Sequence, residues 1–156
     1  MIVTHLFISP EHVYVGHFGQ PSGKAPMTEV DKIQLVAGRG IVGDRYSARE
    51  EGHKGQATFF SEEAWLRLRE ELGGEDRGPG AFRRNVVVSG ADLNALIGAE
   101  FEVQGVRFKG SEYCKPCFWM DEAFAPGTLK ALSDWNAGGL RTRVLSDGWL
   151  TAQKAR

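Results

Sequence analysis

Cysteine is nearly absent from this chain: its 156 residues hold two, Cys114 and Cys117. Thiols this close in sequence close only a tiny ring, which excludes the framework of a secreted disulfide scaffold. Long apolar runs are missing too. No stretch approaches the roughly 20 residues that cross a bilayer, and the opening MIVTHLFISPEHVYVG alternates rather than forming a cationic head and an apolar core. Charge of one sign is also lacking. Lys+Arg 19 against Asp+Glu 20 leaves a formal charge of -1, without the broad positive field that non-specific nucleic-acid binding needs. No repeat, low-complexity tract or linker interrupts the chain. The expectation is one domain over residues 1–156, unprocessed and cytoplasmic, with no nucleic acid and no membrane among its partners.

Glycine, by contrast, is abundant at 20 residues, and it separates short apolar runs as turns do in a protein of many short strands. Strands are expected at residues 2–8, 11–18 and 30–36. AGRGIVGDRYSAREEGHKGQ is glycine-punctuated, charged and aperiodic, the pattern of a functional or mobile loop. Ser61 followed by Glu62 and Glu63 opens a helix whose Trp65, Leu68 and Leu72 share a face and which Gly73-Gly74 ends. Val86-Val87-Val88 has the composition of a buried strand, and Asp92 caps a short helical turn. FEVQGVRFKG forms a hairpin about Gln104-Gly105 with Phe101, Val103, Val106 and Phe108 inward. A second short helix covers 128–136, and LRTRVLSDGWLTA is expected to be a strand pair about Asp147-Gly148, a type I′ turn signal. The fold class is mainly β, barrel-like or a bent mixed sheet, with a few peripheral helices.

The stretch SEYCKPCFWMDE carries both thiols. A C-x-x-C supplies half of a tetrahedral zinc site, but no second C-x-x-C or H-x₃-H follows, and the histidines lie far off in sequence. A thioredoxin-like redox motif requires an α/β setting that this chain lacks. The plain alternative is two small buried side chains in a turn. The setting favours chemistry: the thiols follow a strand, the Lys115 ammonium favours a thiolate, and Pro116 stiffens the turn presenting Cys117.

Basic clusters recur. In FRRNVVVSG the two arginines alternate sides of a strand end, so one points inward, suited to phosphate or carboxylate with Asn85 beside it, while the other stays in solvent. In GRGIVGDRY, Gly40 and Gly43 permit backbone angles that form an anion-binding concavity, with Arg39 and Arg45 adding charge. The loop is neither a Walker A nor a dinucleotide turn. Arg141 and Arg143 of GGLRTRVLSDG share one strand face. Each cluster alone is more often a solvated strand end or tight loop. Together they suit one anionic small-molecule ligand if they converge.

Taken in order, GIVGDRY, FRRNVVVSGADLNALIGAEFEVQGVRFKGSEYCKPC and GGLRTRVL resemble the MOSC family, named for the C-terminal domain of molybdenum cofactor sulfurases, and in particular its small stand-alone bacterial members. The likeness runs from about Gly40 to Val144, most specifically in F-R-x-N-(apolar)₃, N-x-L-I-G and (P)-C. It implies a β-rich, barrel-like fold and a cysteine, here Cys117, that accepts sulfur or holds the molybdenum of a pterin cofactor. It also implies that Arg83 and Asn85, with Asp44 and Arg45 of the preceding motif, contact such a cofactor, and that Lys115 stands beside the thiolate. This sequence has neither the additional β-barrel domain of the amidoxime-reducing enzymes nor a pyridoxal-phosphate desulfurase domain. The resemblance therefore implies sulfur from a separate cysteine desulfurase, or service to a molybdoenzyme partner.

The expected function is a sulfur carrier or molybdenum-cofactor-binding domain acting through a cysteine thiolate. On the carrier reading Cys117 takes sulfane sulfur as a persulfide, Lys115 lowers its pKa, and Cys114 releases the sulfur by forming a disulfide. On the cofactor reading Cys117 ligates molybdenum, a soft partner for a thiolate. The alternative from another class is a non-catalytic module delivering a pterin or metal–sulfur unit to a partner protein.

Overall fold

In the computed structural model, residues 1–12 and 25–154 are described. Ten strands and three helices follow in chain order: β1 (Ile2–Ile8), β2 (Thr28–Val30), β3 (Lys32–Val36), β4 (Gly40–Ile41), β5 (Ala57–Ser61), α1 (Glu62–Leu72), β6 (Val86–Ser89), β7 (Glu100–Val103), β8 (Val106–Tyr113), α2 (Trp119–Ala123), α3 (Thr128–Asp134), β9 (Leu140–Val144) and β10 (Gly148–Thr151). Seven strands make one sheet in the order β2-β1-β6-β5-β9-β8-β7, and β10-β3-β4 make a second. Only β5 and β6 run parallel. The architecture is thus the mainly β, mixed-sheet fold expected, with the large sheet left open between β2 and β7 instead of closed into a barrel.

Local rules explain much of it. Val3 and Leu6 are both fully buried although an odd spacing should put them on opposite faces. The register against β6 slips between Val3 and His5, a bulge that returns Leu6 to the core side. In β5, Ala57, Thr58, Phe59 and Phe60 are all buried, because the strand separates two cores. Phe59 packs with Val86, Phe108 and Leu140 between the sheets, while Phe60 packs with Phe82, Leu68, Met120 and Leu132 beneath the helices. The Ser61 hydroxyl accepts from Ala64 N–H to cap α1, and Gly73 ends it.

Four expectations change. The strand proposed over 11–18 lies mostly outside the described residues, and Glu11 and His12 are not in a strand. The run 30–36 breaks at Asp31, where β2 joins the large sheet and β3 the small one. Residues 37–56 are not an unstructured loop: they contain β4 and a 3-10 turn over Arg45–Ala48. Finally, β9 and β10 do not form a hairpin. β9 pairs with β5 and β8, β10 pairs with β3, and the Asp147 carboxylate accepts from Ala37 N–H at 2.8 Å. Asp147 therefore serves a crossing between sheets, a use of Asp that a turn signal does not distinguish.

Candidate functional site

The turn after β8 carries both cysteines, and its shape is set by neighbours distant in sequence. Cys114 N–H donates to Gly139 C=O at 2.9 Å. Arg84 donates through Nε and Nη2 to Gly138 C=O at 3.1 and 3.0 Å, and through Nη2, more weakly, to the carbonyls of Cys114 and Lys115. Gly138 is an obligate gap. A Cβ there would lie 2.3 Å from Cys114 O and 2.7 Å from Pro116 Cδ, closer than real contacts allow. The far end of the turn is tied by Met120 N–H to Cys117 C=O at 3.1 Å, entering α2.

A cavity of about 180 Å³ opens beside this turn. Both thiols line it, with Lys115 from the same turn, Arg45 and Tyr46 from the 3-10 turn, Arg83 and Arg84 before β6, and Arg141 from β9. His12 and Trp119 also line it, and among the described residues no carboxylate does. The basic clusters at Arg45, Arg83 and Arg141 therefore converge, whereas Arg143 lines a separate hollow with Lys54 and Lys109.

Arg83 and Arg84 do not divide into one inward and one solvated side chain, because both are buried. Strand alternation has not yet begun: Arg83 has φ 56° and ψ 35°, a left-handed backbone that costs an L residue about 1–2 kcal/mol. Its guanidinium offsets that strain by donating to Ala25 C=O, Ser9 Oγ and Glu11 C=O at 2.9–3.0 Å.

Asp44 and Asn85 lie beneath the cavity and do not line it. Asp44 accepts from Ser9 N–H, Tyr46 N–H, Arg45 Nη1 and Asn85 Nδ2. Asn85 is fully buried; its amide also donates to Phe7 C=O, and its Oδ1 accepts from the backbone and hydroxyl of Thr58. Arg45 donates to Asp44 and to Arg83 C=O, stacking over Tyr46. These two polar residues hold the cationic wall in place through buried hydrogen bonds. The concavity expected from Gly40 and Gly43 does not form either: Val42, Asp44 and Arg45 N–H donate to the carbonyls of Gln34, Ile41 and Ser9.

Burial pushes the Cys117 thiol above its ordinary value, opposed by the N–H groups of Trp119 and Met120 and by the Arg84 charge. Arg84, not Lys115, leads among the cations favouring the thiolate. Burial, then Arg45 and Arg49, hold the His12 imidazole below its usual range. For Arg141, burial acts to lower the pKa, but the nearby Cys114 thiol and then Tyr46 and Glu112 raise it overall. Among the described residues no group of three or more His, Cys, Asp or Glu side chains is arranged to hold a metal.

Sequence reasoning missed Arg84, Tyr46, Trp119 and His12. A left-handed residue before a strand signals nothing in its side-chain type, so Arg84 looked like the solvated partner of Arg83. Arg141 was visible as a cation on a strand face, but not which hollow that face adjoined.

The chain is an open mixed sheet with a small cationic cavity at the end of β8, lined by both cysteines. The MOSC domain family model matches residues 41–155, and the chain belongs to that family, which is associated with molybdenum cofactor binding or sulfur transfer. No curated protein matches the chain in sequence. Among solved structures it is similar to YuaD from Bacillus subtilis, at 18% identity and a TM-score of 0.71, covering 96% of this chain and 90% of that one. It is also similar to YiiM from Geobacillus stearothermophilus, at 16% identity and a TM-score of 0.68, covering 97% and 71%. YiiM from Escherichia coli gives 19% identity and a TM-score of 0.64 over 93% and 66%. At these identities the likeness concerns the fold. Among the described residues no helix is long and apolar enough to cross a membrane.

Proposed function

We propose that this chain is a sulfur carrier in which the Cys117 thiolate accepts a sulfane sulfur and holds it as a persulfide. The observation that carries this reading is the cavity of about 180 Å³ where two cysteines meet four arginines and a lysine, with no carboxylate among the described lining residues. Such a field favours anionic sulfur, and the Trp119 and Met120 N–H groups with Arg84 act on the sulfur of Cys117 itself. A persulfide is more acidic than a thiol, so burial that discourages the resting thiolate does so less for the sulfur-loaded form.

The second reading is a molybdenum–pterin cofactor, supported by the family and by the donor set. Cys117 would supply the soft ligand, with Arg141 and Lys115 facing the anionic groups. When bound, that cofactor would supply redox and oxygen- or sulfur-transfer chemistry. The cavity volume favours the carrier reading, since it falls below the roughly 300–1,000 Å³ of sites that enclose larger organic ligands. A delivery module remains the non-catalytic version of either reading. Intact-mass and metal analysis of protein purified without reductant separates them. One added sulfur on Cys117 without molybdenum supports the carrier; stoichiometric molybdenum supports the cofactor.

A further inference from the structure

Four guanidinium groups reach the cavity, but they are not equally available to a ligand. Arg84 commits its nitrogens to Phe82 C=O, Gly138 C=O and the carbonyls of the cysteine turn. Arg83 holds Ala25, Ser9 and Glu11, and Arg45 holds Asp44 and Arg83 C=O. Arg141 differs. Its Nη1 donates to Glu112 Oε1 at 3.0 Å, it lines the cavity with both cysteines, and it engages no backbone carbonyl among the described residues. Glu112 does not neutralise it fully, because the same carboxylate also pairs with Lys54 at 3.0 Å. Lys115, exposed on the rim, has no carboxylate partner among the described residues.

Resting on the sulfur-acceptor reading, we propose that the sulfur donor is a small sulfur oxyanion of the thiosulfate class, with Arg141 and Lys115 binding its oxyanion end beside Cys117. Three features select this class over a neutral or bulky donor. The cavity is small, its described lining residues carry cations and no carboxylate, and the Arg141 guanidinium presents a planar fork suited to a tetrahedral oxyanion. The committed arginines add fixed positive field without having to reorganise.

The step balances without an external oxidant. The Cys117 thiolate attacks the outer sulfur of thiosulfate and forms a new S–S bond. The original S–S bond breaks, and its electron pair departs with sulfite. Cys117 is left as a persulfide anion, so three negative charges enter and three leave. Sulfite is the group whose charge grows as the bond breaks, and it departs against Arg141.

The test is a single turnover of reduced protein with thiosulfate, read by sulfite release and intact mass. Expected are about one equivalent of sulfite per chain and one added sulfur on Cys117. Arg141→Gln should raise half-saturating thiosulfate at least about tenfold, the effect of losing one charge-assisted hydrogen bond. Its rate of Cys117 alkylation by neutral iodoacetamide should change far less, which also reports that the variant is folded. Arg141→Lys should recover part of the loss, and Arg143→Gln, outside this cavity, should match the parent. Thiosulfate loading that is indifferent to Arg141→Gln overturns the proposal. Loading from a cysteine desulfurase, but not from thiosulfate, overturns it while leaving the sulfur-acceptor reading standing. Loading from no donor defeats both.

Discussion

Gly138 and Cys114, far apart in sequence, are packed so closely that a Cβ on Gly138 would stand 2.3 Å from the carbonyl oxygen of Cys114. The same Gly138 offers its own carbonyl to two nitrogens of Arg84 and its N–H to the Tyr113 hydroxyl at 2.9 Å. The cysteine turn is thus seated on a glycine that precedes β9.

Gly138→Ala should therefore cost about 1–3 kcal/mol, the usual range for overpacking a tight interior, and displace the cysteine turn. Urea unfolding should show the loss, and the alkylation rate of Cys117 should change in the native state. An unchanged midpoint together with an unchanged rate would mean that the turn tolerates the methyl group and is not seated as described.

Asn85→Ala separates a supporting role from a ligand role. The substitution removes one buried hydrogen bond each from Asp44, the Thr58 hydroxyl and Phe7 C=O, and about 2–4 kcal/mol of destabilisation is expected from the buried polar groups it weakens. Chemical denaturation measures it. A variant as stable as the parent but impaired in ligand binding would instead make Asn85 a direct contact.

Cys117 should react more slowly with iodoacetamide at neutral pH than an exposed cysteine does, with the profile shifted to higher pH, because burial disfavours the thiolate. Arg84→Gln should shift it further upward by removing the opposing charge. Linkage fixes the sign for stability. A folded pKa above the unfolded one leaves stability intact below the ordinary thiol range and reduces it as pH rises towards the folded value. Cys117→Ser should remove that alkaline loss. A reactivity profile matching or falling below that of a free thiol contradicts the burial argument.

His12 supplies a test at the acid side. Burial and then the Arg45 and Arg49 charges keep its imidazole neutral at pH 7. Its depressed folded pKa means stability is present above about 6.5, the ordinary value, and declines as pH falls through the folded pKa. His12→Gln should flatten the acid limb of a urea-midpoint curve; an unaltered limb would assign that decline elsewhere.

Much of this architecture was legible from patterning. The α1 cap at Ser61, the Gln104-Gly105 hairpin and the buried Val86–Val88 strand each rest on interactions within a few residues. What was hidden depends on distant partners. Asp31 divides two strands because β2 and β3 serve different sheets, and Asp147 bridges to Ala37 instead of closing a hairpin. The site behaves alike: Cys117, Lys115 and Arg83 were visible as motif residues, and the cavity does bring them together. Arg84 was read as the solvated neighbour and is buried, and the buried partners of Asn85 were not foreseen, because both follow from chain crossings that no local pattern encodes.

The central claim is that Cys117, and not the thiol pair jointly, receives sulfur. Its most direct test is intact mass after exposure to a sulfane-sulfur donor, comparing Cys117→Ser and Cys114→Ser with the parent chain. Expected is one added sulfur on the parent and on Cys114→Ser, and none on Cys117→Ser. Equal loading of Cys117→Ser, or loss of loading in both variants alike, would contradict it.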